Sequence, residues 1–332
     1  MEFTPEELDG EAKRLHGRLG KLGWSMDACR LSAHLTLETN KLKKEKNAII
    51  LAHSYQTPDI IYGVADFTGD SYALSKRAAE TKAGTIVFSG VRFMAETAKL
   101  LNPEKKVFIP SLDAGCSLAD GITAEDVRKL RRENPICPVV CYVNTSAEVK
   151  AESDACCTSA NAAKVLRSFK EKRIIFVPDE FMAKNLAKET GKTLVSWHAR
   201  CVVHQDFDER KISAVKKQFP GIKVLAHSEC PPLVAQSSDL VGGTADMERY
   251  VASSGASSFM LVTECGLSDR LRSESPEKEF VGMCALCPYM KKNSLLLILR
   301  VLKEQNKENE IKIPVSVAAK AKAALDRMFE LA

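Results

Sequence analysis

Three cysteines, Cys116, Cys201 and Cys287, stand 85 and 86 residues apart, and the sequence around each of them repeats with nearly that period. The apolar run AIILAHSYQ, from Ala48, ends in His53 and Tyr55; PVVCYVN ends in Tyr142 and Asn144; IKVLAHSE ends in His227 and Glu229. A hydroxyl follows each run and opens a helical pattern: Ser71, Ser159 and Thr244. A second apolar run comes next (TIVFSG, IIFVPD, FMLVTE), and a third leads from Lys106, Lys192 or Lys278 toward the cysteine. Four landmarks in one order, three times over, constrain the chain to a triplicated small domain. The period is too long for a solenoid unit.

Within each copy, strand-like runs alternate with helical patterns, which predicts parallel sheets covered by helices on both faces. The expected fold class is α/β, with three repeated three-layer αβα domains around a pseudo-threefold axis. The expected boundaries are an N-terminal helical extension at 1–47, repeats at 48–136, 137–221 and 222–300, and a C-terminal strand and helix at 301–332 that pack back on the core. Each repeat alone would bury on the order of 60% of its unfolded surface, so the three should lean on one another.

With 332 residues, 45% hydrophobic and 27% charged, the composition is that of an ordered globular protein. The formal net charge of +5 is spread without a basic tract, which argues against nucleic acid and is compatible with a small anionic substrate. No apolar run reaches the roughly 20 residues that cross a bilayer. The acidic start MEFTPEEL does not resemble a secretory signal. These features predict a cytoplasmic protein with no membrane partner, whose eleven cysteines are reduced and serve metal binding, catalysis or burial rather than a disulfide framework.

In a parallel sheet, ligands gather at the carboxyl ends of strands and the amino ends of the helices that follow. The rim residues are therefore the candidate site. His53 with Tyr55, and His227 with Glu229, are spaced two apart, so on a strand each pair would face one way. Such groups suit proton transfer near neutral pH. Ser71, Ser159 and Thr244 sit where helix N-caps are expected; any one alone reads as a cap, and only their repetition beside other polar groups suggests carboxylate or phosphate binding.

Cys29, Cys137, Cys141, Cys156, Cys230 and Cys265 read as small apolar side chains. Cys284 and Cys287 form a C-x-x-C pair, too few ligands for a closed zinc site. Adding Cys116 and Cys201 gives three thiolates from three copies. Soft ligands of this kind favour an iron–sulfur cluster or zinc. Three classes stay open on these residues alone: an enzyme using an open iron, another iron–sulfur lyase or hydro-lyase, and a non-catalytic zinc or cluster scaffold.

Eight blocks together resemble the quinolinate synthase family: AHSYQ (52–56), ADFTGDS (65–71), AGCSLA (114–119), YVNTSAE (142–148), CTSAN (157–161), CVVHQ (201–205), HSECP (227–231) and CPYMKKN (287–293). The resemblance implies an iron–sulfur-dependent transferase of NAD biosynthesis that condenses iminoaspartate with dihydroxyacetone phosphate. It implies one [4Fe-4S] cluster, with Cys116, Cys201 and Cys287 as ligands. His53, Tyr55, Tyr142, Asn144, His227 and Glu229 match active-site positions, and Ser71, Ser159 and Thr244 match groups that hold carboxylates or phosphate. Glu229 is the expected principal base, with His227, Tyr55, His53 and Tyr142 beside it as catalytic groups. His204 falls in a family motif without an assigned role. A transient contact with the enzyme that oxidises L-aspartate is a further expectation. So is a redox switch in which Cys284 bonds Cys287.

Overall fold

Each of the three expected repeats folds around its own four-stranded parallel sheet in the computed structural model, which describes residues 2–283 and 285–331. The first sheet contains β1 (Ala48–His53), β2 (Phe67–Gly69), β3 (Thr85–Ser89) and β4 (Lys106–Phe108). The second contains β5 (Val139–Tyr142), β6 (Ala155–Cys157), β7 (Arg173–Val177) and β8 (Thr193–Ser196). The third contains β9 (Lys223–His227), β10 (Leu240–Gly242), β11 (Ser258–Val262) and β12 (Glu279–Val281). All three use one strand order, second-first-third-fourth, so β1, β5 and β9 are central. These strands are buried along nearly their whole length, as expected where helices cover both faces.

The apolar runs in the sequence are the first, third and fourth strands of each sheet. The second strand escapes the pattern because β2, β6 and β10 have only three residues each, too few to show a period. A different signal marks them. Asp66, Asp154 and Asp239 immediately precede these strands, and each carboxylate accepts the backbone N–H of a residue in the central strand: Ile50 at 2.8 Å, Val139 at 2.7 Å and Val224 at 2.9 Å. The same three aspartates donate their own N–H groups to the carbonyls of those three residues. The repeat therefore extends to hydrogen bonds that pin one short edge strand to each sheet.

By density of internal contacts the chain divides into two units. The first comprises residues 1–114, 265–280 and 286–311; the second comprises 115–264, 281–285 and 312–332. In the first, the helices Pro5–Leu19 and Met26–Glu45 precede β1, each opened by a side-chain cap, Thr4 or Ser25. Ala12, Leu15, Leu19, Cys29 and Ala33 make their shared core. Lys43 fastens the pair to the first repeat by donating to the Val64 carbonyl at 2.7 Å and pairing with Asp66 at 2.8 Å. In the second unit the helix Val315–Leu331 packs on helix Ala147–Ala151 and β6. The expected C-terminal strand is reduced to one antiparallel bridge, between Glu310 and Phe108 in the first unit.

Candidate active site

Turns at the ends of the three central strands carry the candidate residues. In each repeat the residue after the strand donates its N–H to the last residue of the short neighbour: Ser54 to Gly69 at 3.0 Å, Val143 to Cys157 at 2.8 Å and Ser228 to Gly242 at 3.0 Å. The chain then leaves the sheet. His53 and His227 are the last strand residues, whereas Tyr55 and Glu229 lie in the turn, so strand alternation is not what brings each pair together. Instead the N–H of Tyr55 donates to His53 Nδ1 at 3.2 Å, and that of Glu229 to His227 Nδ1 at 3.3 Å. Both histidines are thus oriented by the same local bond.

In the second unit, Glu229 is the centre of a buried polar cluster. Tyr142 Oη donates to Oε1 at 2.6 Å, and His204 Nδ1 meets Oε2 at 2.7 Å. His227 Nδ1 lies 3.8 Å from Oε1, and its ring stacks on that of His204 with centroids 4.5 Å apart. The other His204 nitrogen is 3.0 Å from Thr263 Oγ1. Burial raises the Glu229 carboxyl, but His227 and His204 beside it, and the bonds from His204 and Tyr142, outweigh that and hold it well below the usual carboxylate range. Burial brings His227 down to about 4 against the opposing pull of Glu229, so it is neutral at neutral pH. Asn144, two residues beyond Tyr142, has a buried Oδ1 with no hydrogen-bond partner.

His204 is the residue that reading the sequence underrates. It stands three residues after Cys201 in the chain, and its side chain touches the Cys201 sulfur (3.3 Å), Glu229 and His227. Cys201, His204 and Glu229 could together hold a metal ion, since their ligand atoms lie within 4.8 Å of one another. Both His204 nitrogens already have hydrogen-bond partners, which favours a proton-conducting cluster over direct ligation.

The hydroxyls do not cap helices. Asp70 caps helix Ser71–Glu80 by accepting from Ala73 at 2.8 Å, so Ser71 is its first helical residue. Thr244 likewise begins helix Thr244–Ser253, where Asp246 accepts the Gly243 N–H at 2.8 Å. Ser159 lies in the turn before helix Ala162–Ser168. A Cβ on Gly243 would stand 2.5 Å from Ser159 Oγ, so the glycine allows the second and third repeats to bring Ser159 beside the start of the Thr244 helix.

Cys116 and Cys201, both half-exposed, belong to the second unit, and neither is in a disulfide. Ser117 joins their loops, donating to the Arg200 carbonyl at 3.1 Å and accepting from Val202 N–H at 3.2 Å. The close approach of the loops is also why position 121 is glycine: a Cβ there would be 2.8 Å from that of Ala199. Burial pushes the Cys201 thiol up, as do Glu229 and Cys116 nearby. A thiol so placed is poorly stabilised as an isolated anion, and a cation binding both sulfurs would relieve that. The donor set therefore fits a thiolate-held metal group.

Cys287 belongs to the first unit, together with His53, Tyr55 and Ser71. Its segment is laced to the first repeat: Gln56 Nε2 donates to the Met290 carbonyl at 3.1 Å, Asn293 Nδ2 to the Gly90 carbonyl at 2.8 Å, and Lys291 to the Tyr55 carbonyl. His53 and Tyr55 rings meet edge to face at 4.5 Å. Cys287 is not in a disulfide, and the expected partner Cys284 lies outside the described residues. Cys265 is disulfide-bonded, which corrects its reading as an inert buried thiol, while Cys29, Cys137, Cys141, Cys156 and Cys230 are free and buried as expected.

Three parallel αβα sheets and strand-end turns bearing histidine, tyrosine and glutamate define an α/β protein with an enzyme-like polar site, and its spaced thiols are candidate ligands for a metal group. A family model described as "Quinolinate synthetase A protein" matches residues 38–330, and the chain belongs to that family. A quinolinate synthase of Xylella fastidiosa is 48% identical over 291 residues, 88% of this chain and 85% of the relative. One from Caulobacter vibrioides is 46% identical over 306 residues (91% and 83%), and quinolinate synthase 1 of Mesorhizobium japonicum is 51% identical over 288 residues (87% and 88%).

Proposed function

We propose that this chain is a quinolinate synthase acting in NAD biosynthesis: iminoaspartate and dihydroxyacetone phosphate condense to quinolinate, inorganic phosphate and two waters. The observation that carries the reading is the buried cluster of Tyr142, His204, His227 and Glu229, beside an Asn144 oxygen that lacks a partner. Burying four such groups carries a desolvation cost that their mutual hydrogen bonds offset, and clusters of this kind with shifted titration gather at functional sites.

Cys116, Cys201 and Cys287 would hold one [4Fe-4S] cluster. Three thiolates would leave one of its irons without a protein ligand, and the cluster would supply Lewis acidity toward a carbonyl or hydroxyl oxygen.

The remaining work falls to the side chains. Glu229 remains ionised, held by the bonds from Tyr142 and His204, and would take a proton from substrate carbon and return it to the hydroxyl that leaves as water. Its lowered basicity fits a relay that does not keep the proton. Tyr55 donates to a developing oxyanion, Tyr142 keeps its hydrogen bond to Glu229, and the Asn144 oxygen accepts from an imine or amine N–H. Ser71, Ser159 and Thr244 grip carboxylate and phosphate oxygens, their hydroxyls being released from capping. His53, fixed through Nδ1 by the Tyr55 amide, offers Nε2.

The reaction is that of a transferase in the cytoplasm. Because an imine hydrolyses in water, a transient contact with the enzyme that oxidises L-aspartate would deliver it intact. No described helix is long and apolar enough to cross a membrane, and the reading requires neither membrane nor nucleic acid.

Anaerobic iron and sulfide analysis, coupled to a quinolinate assay with product identification, tests the proposal. About four irons and four sulfides per chain, with quinolinate formed, are expected for wild type. Cys116→Ser, Cys201→Ser and Cys287→Ser should each lose both. A wild-type protein that carries zinc, or that makes a different product from these substrates, refutes the reading.

A further inference from the structure

We infer that a cleft between the second and third repeats binds a phosphate-bearing small molecule of mononucleotide size, in a volume that Tyr142, His204, His227 and Glu229 do not line. The cleft encloses ≈ 860 Å³ and is built wholly within the second unit. That volume falls in the range of ligand sites for drug-sized molecules and is much larger than a three- or four-carbon substrate needs. Of the residues assigned to the reaction only Ser159 borders it; Tyr142, Asn144, His204, His227, Glu229 and Thr244 do not.

Two buried groups on its wall lack a hydrogen-bond partner: Asn161 Nδ2 and Ser228 Oγ. The Asn161 amide cannot flip to remedy this, because its Oδ1 already accepts the Thr158 N–H at 2.7 Å and faces the Thr158 hydroxyl at 3.3 Å. A buried donor left unmet is costly, and the cleft is where an acceptor can reach it. Asn185 Nδ2 donates to the carbonyls of both Ser228 and Cys230 at 2.9 Å, tying the second repeat's helix Glu180–Thr190 to the third repeat's turn beside these two groups.

Charge and surface set the ligand class. Arg167 is paired with Glu189 and Arg249 with Asp246, so the arginines of the rim are neutralised. Lys164 and Lys188, also on the rim, take part in no ion pair among the described residues and are free to meet a phosphate. Leu186, Ala235, Leu240 and Val241 give an apolar wall, with Val241 38% exposed, and Tyr250 adds an aromatic ring. Unpaired cations, an apolar wall and an aromatic edge match a phosphate carried on a ring-bearing body.

Isothermal titration of the full-length protein with AMP, UMP and nicotinamide mononucleotide reads binding directly, whether or not the protein makes quinolinate. At least one of the three should bind with a Kd below about 1 mM, and more tightly than inorganic phosphate. Lys164→Glu/Lys188→Glu should weaken it at least tenfold and leave quinolinate turnover unchanged. Asn161→Asp retains the acceptor that Thr158 uses but removes the donor, and should weaken binding comparably; it serves as the second variant if the double reversal does not fold, as judged by circular dichroism. The inference is overturned if none of the three nucleotides binds, if only water or free phosphate occupies the cleft, if the variants bind as wild type does, or if saturating quinolinate displaces the nucleotide.

Discussion

Replacing Tyr142 by Phe removes a single oxygen from the cluster and should measurably change the behaviour of Glu229. The phenol donates to Glu229 Oε1 at 2.6 Å, both residues are 3% exposed, and the acceptor is ionised. A buried hydrogen bond to a charged group is worth about 1.5–3 kcal/mol, so if it supports the reaction the turnover should fall by roughly 10–150-fold. Some of that loss could come from a contact of Tyr142 with substrate, and a double-mutant cycle with Glu229→Gln separates the two. The amide introduced by that second substitution still has an oxygen but no charge, so the bond it leaves with Tyr142 is a weak one. With the carboxylate gone, Tyr142→Phe should cost little more, and the two effects should fall short of adding by at least about 1 kcal/mol. Turnover is read anaerobically as quinolinate formed per mole of intact cluster, so that a variant that merely binds less iron is not scored as slow. Additivity within about 0.5 kcal/mol would refute the coupling. Near-normal turnover of Glu229→Gln with its cluster intact would remove Glu229 from the mechanism altogether.

His204→Asn should leave iron content within about twofold of wild type but lower turnover by at least about tenfold, because it removes a charge-assisted partner of Glu229 rather than a ligand; iron analysis beside the rate assay checks both, and loss of iron would make His204 a ligand instead. Gly243→Ala would drive a methyl into Ser159 Oγ, and should raise KM for dihydroxyacetone phosphate by roughly tenfold with a smaller change in kcat, as expected when binding rather than chemistry is disturbed; an unaltered KM would separate Ser159 from substrate. Asp239→Asn tests one of the three strand pins by urea unfolding as a function of pH. Burial pushes the Asp239 carboxyl up, but the Val224 amide, Lys216 and Lys223 outweigh it and hold it low, so its contribution is present above the unfolded value of about 3.9 and is lost as pH falls through the folded value. The variant should be about 1 kcal/mol less stable at pH 7, with the difference closing in acid; a difference that does not change with pH would mean the carboxylate charge is not what the amide holds.

The triplication was legible because its markers are chemically distinctive. A thiol, a strand-ending histidine or tyrosine and a helix-opening hydroxyl recur at positions that composition alone would not align. The short strands β2, β6 and β10 were not legible as strands, since three residues cannot show an alternation; Asp66, Asp154 and Asp239 were the available signal, and they look like surface acids until their amide partners are known. Spacing suggested that His53 and Tyr55, like His227 and Glu229, shared a strand face. They do come together, but through a turn and an amide bond to the histidine ring, a geometry that depends on where the strand stops. Ser71 and Thr244 looked like caps because hydroxyls usually are; Asp70 and Asp246 take that role, and both stand one or two residues away in plain view. His204 was underrated because its importance lies in three contacts made across the fold, to Glu229, His227 and Thr263, none of which sequence distance encodes.

The lacing of residues 290–293 onto the first repeat sets how far that repeat can stand alone. A chain shortened before Met290 would lose the donors that Lys291 and Asn293 present to the Tyr55 and Gly90 carbonyls, so the first sheet would be less stable without the tail of the third repeat than its own packing suggests.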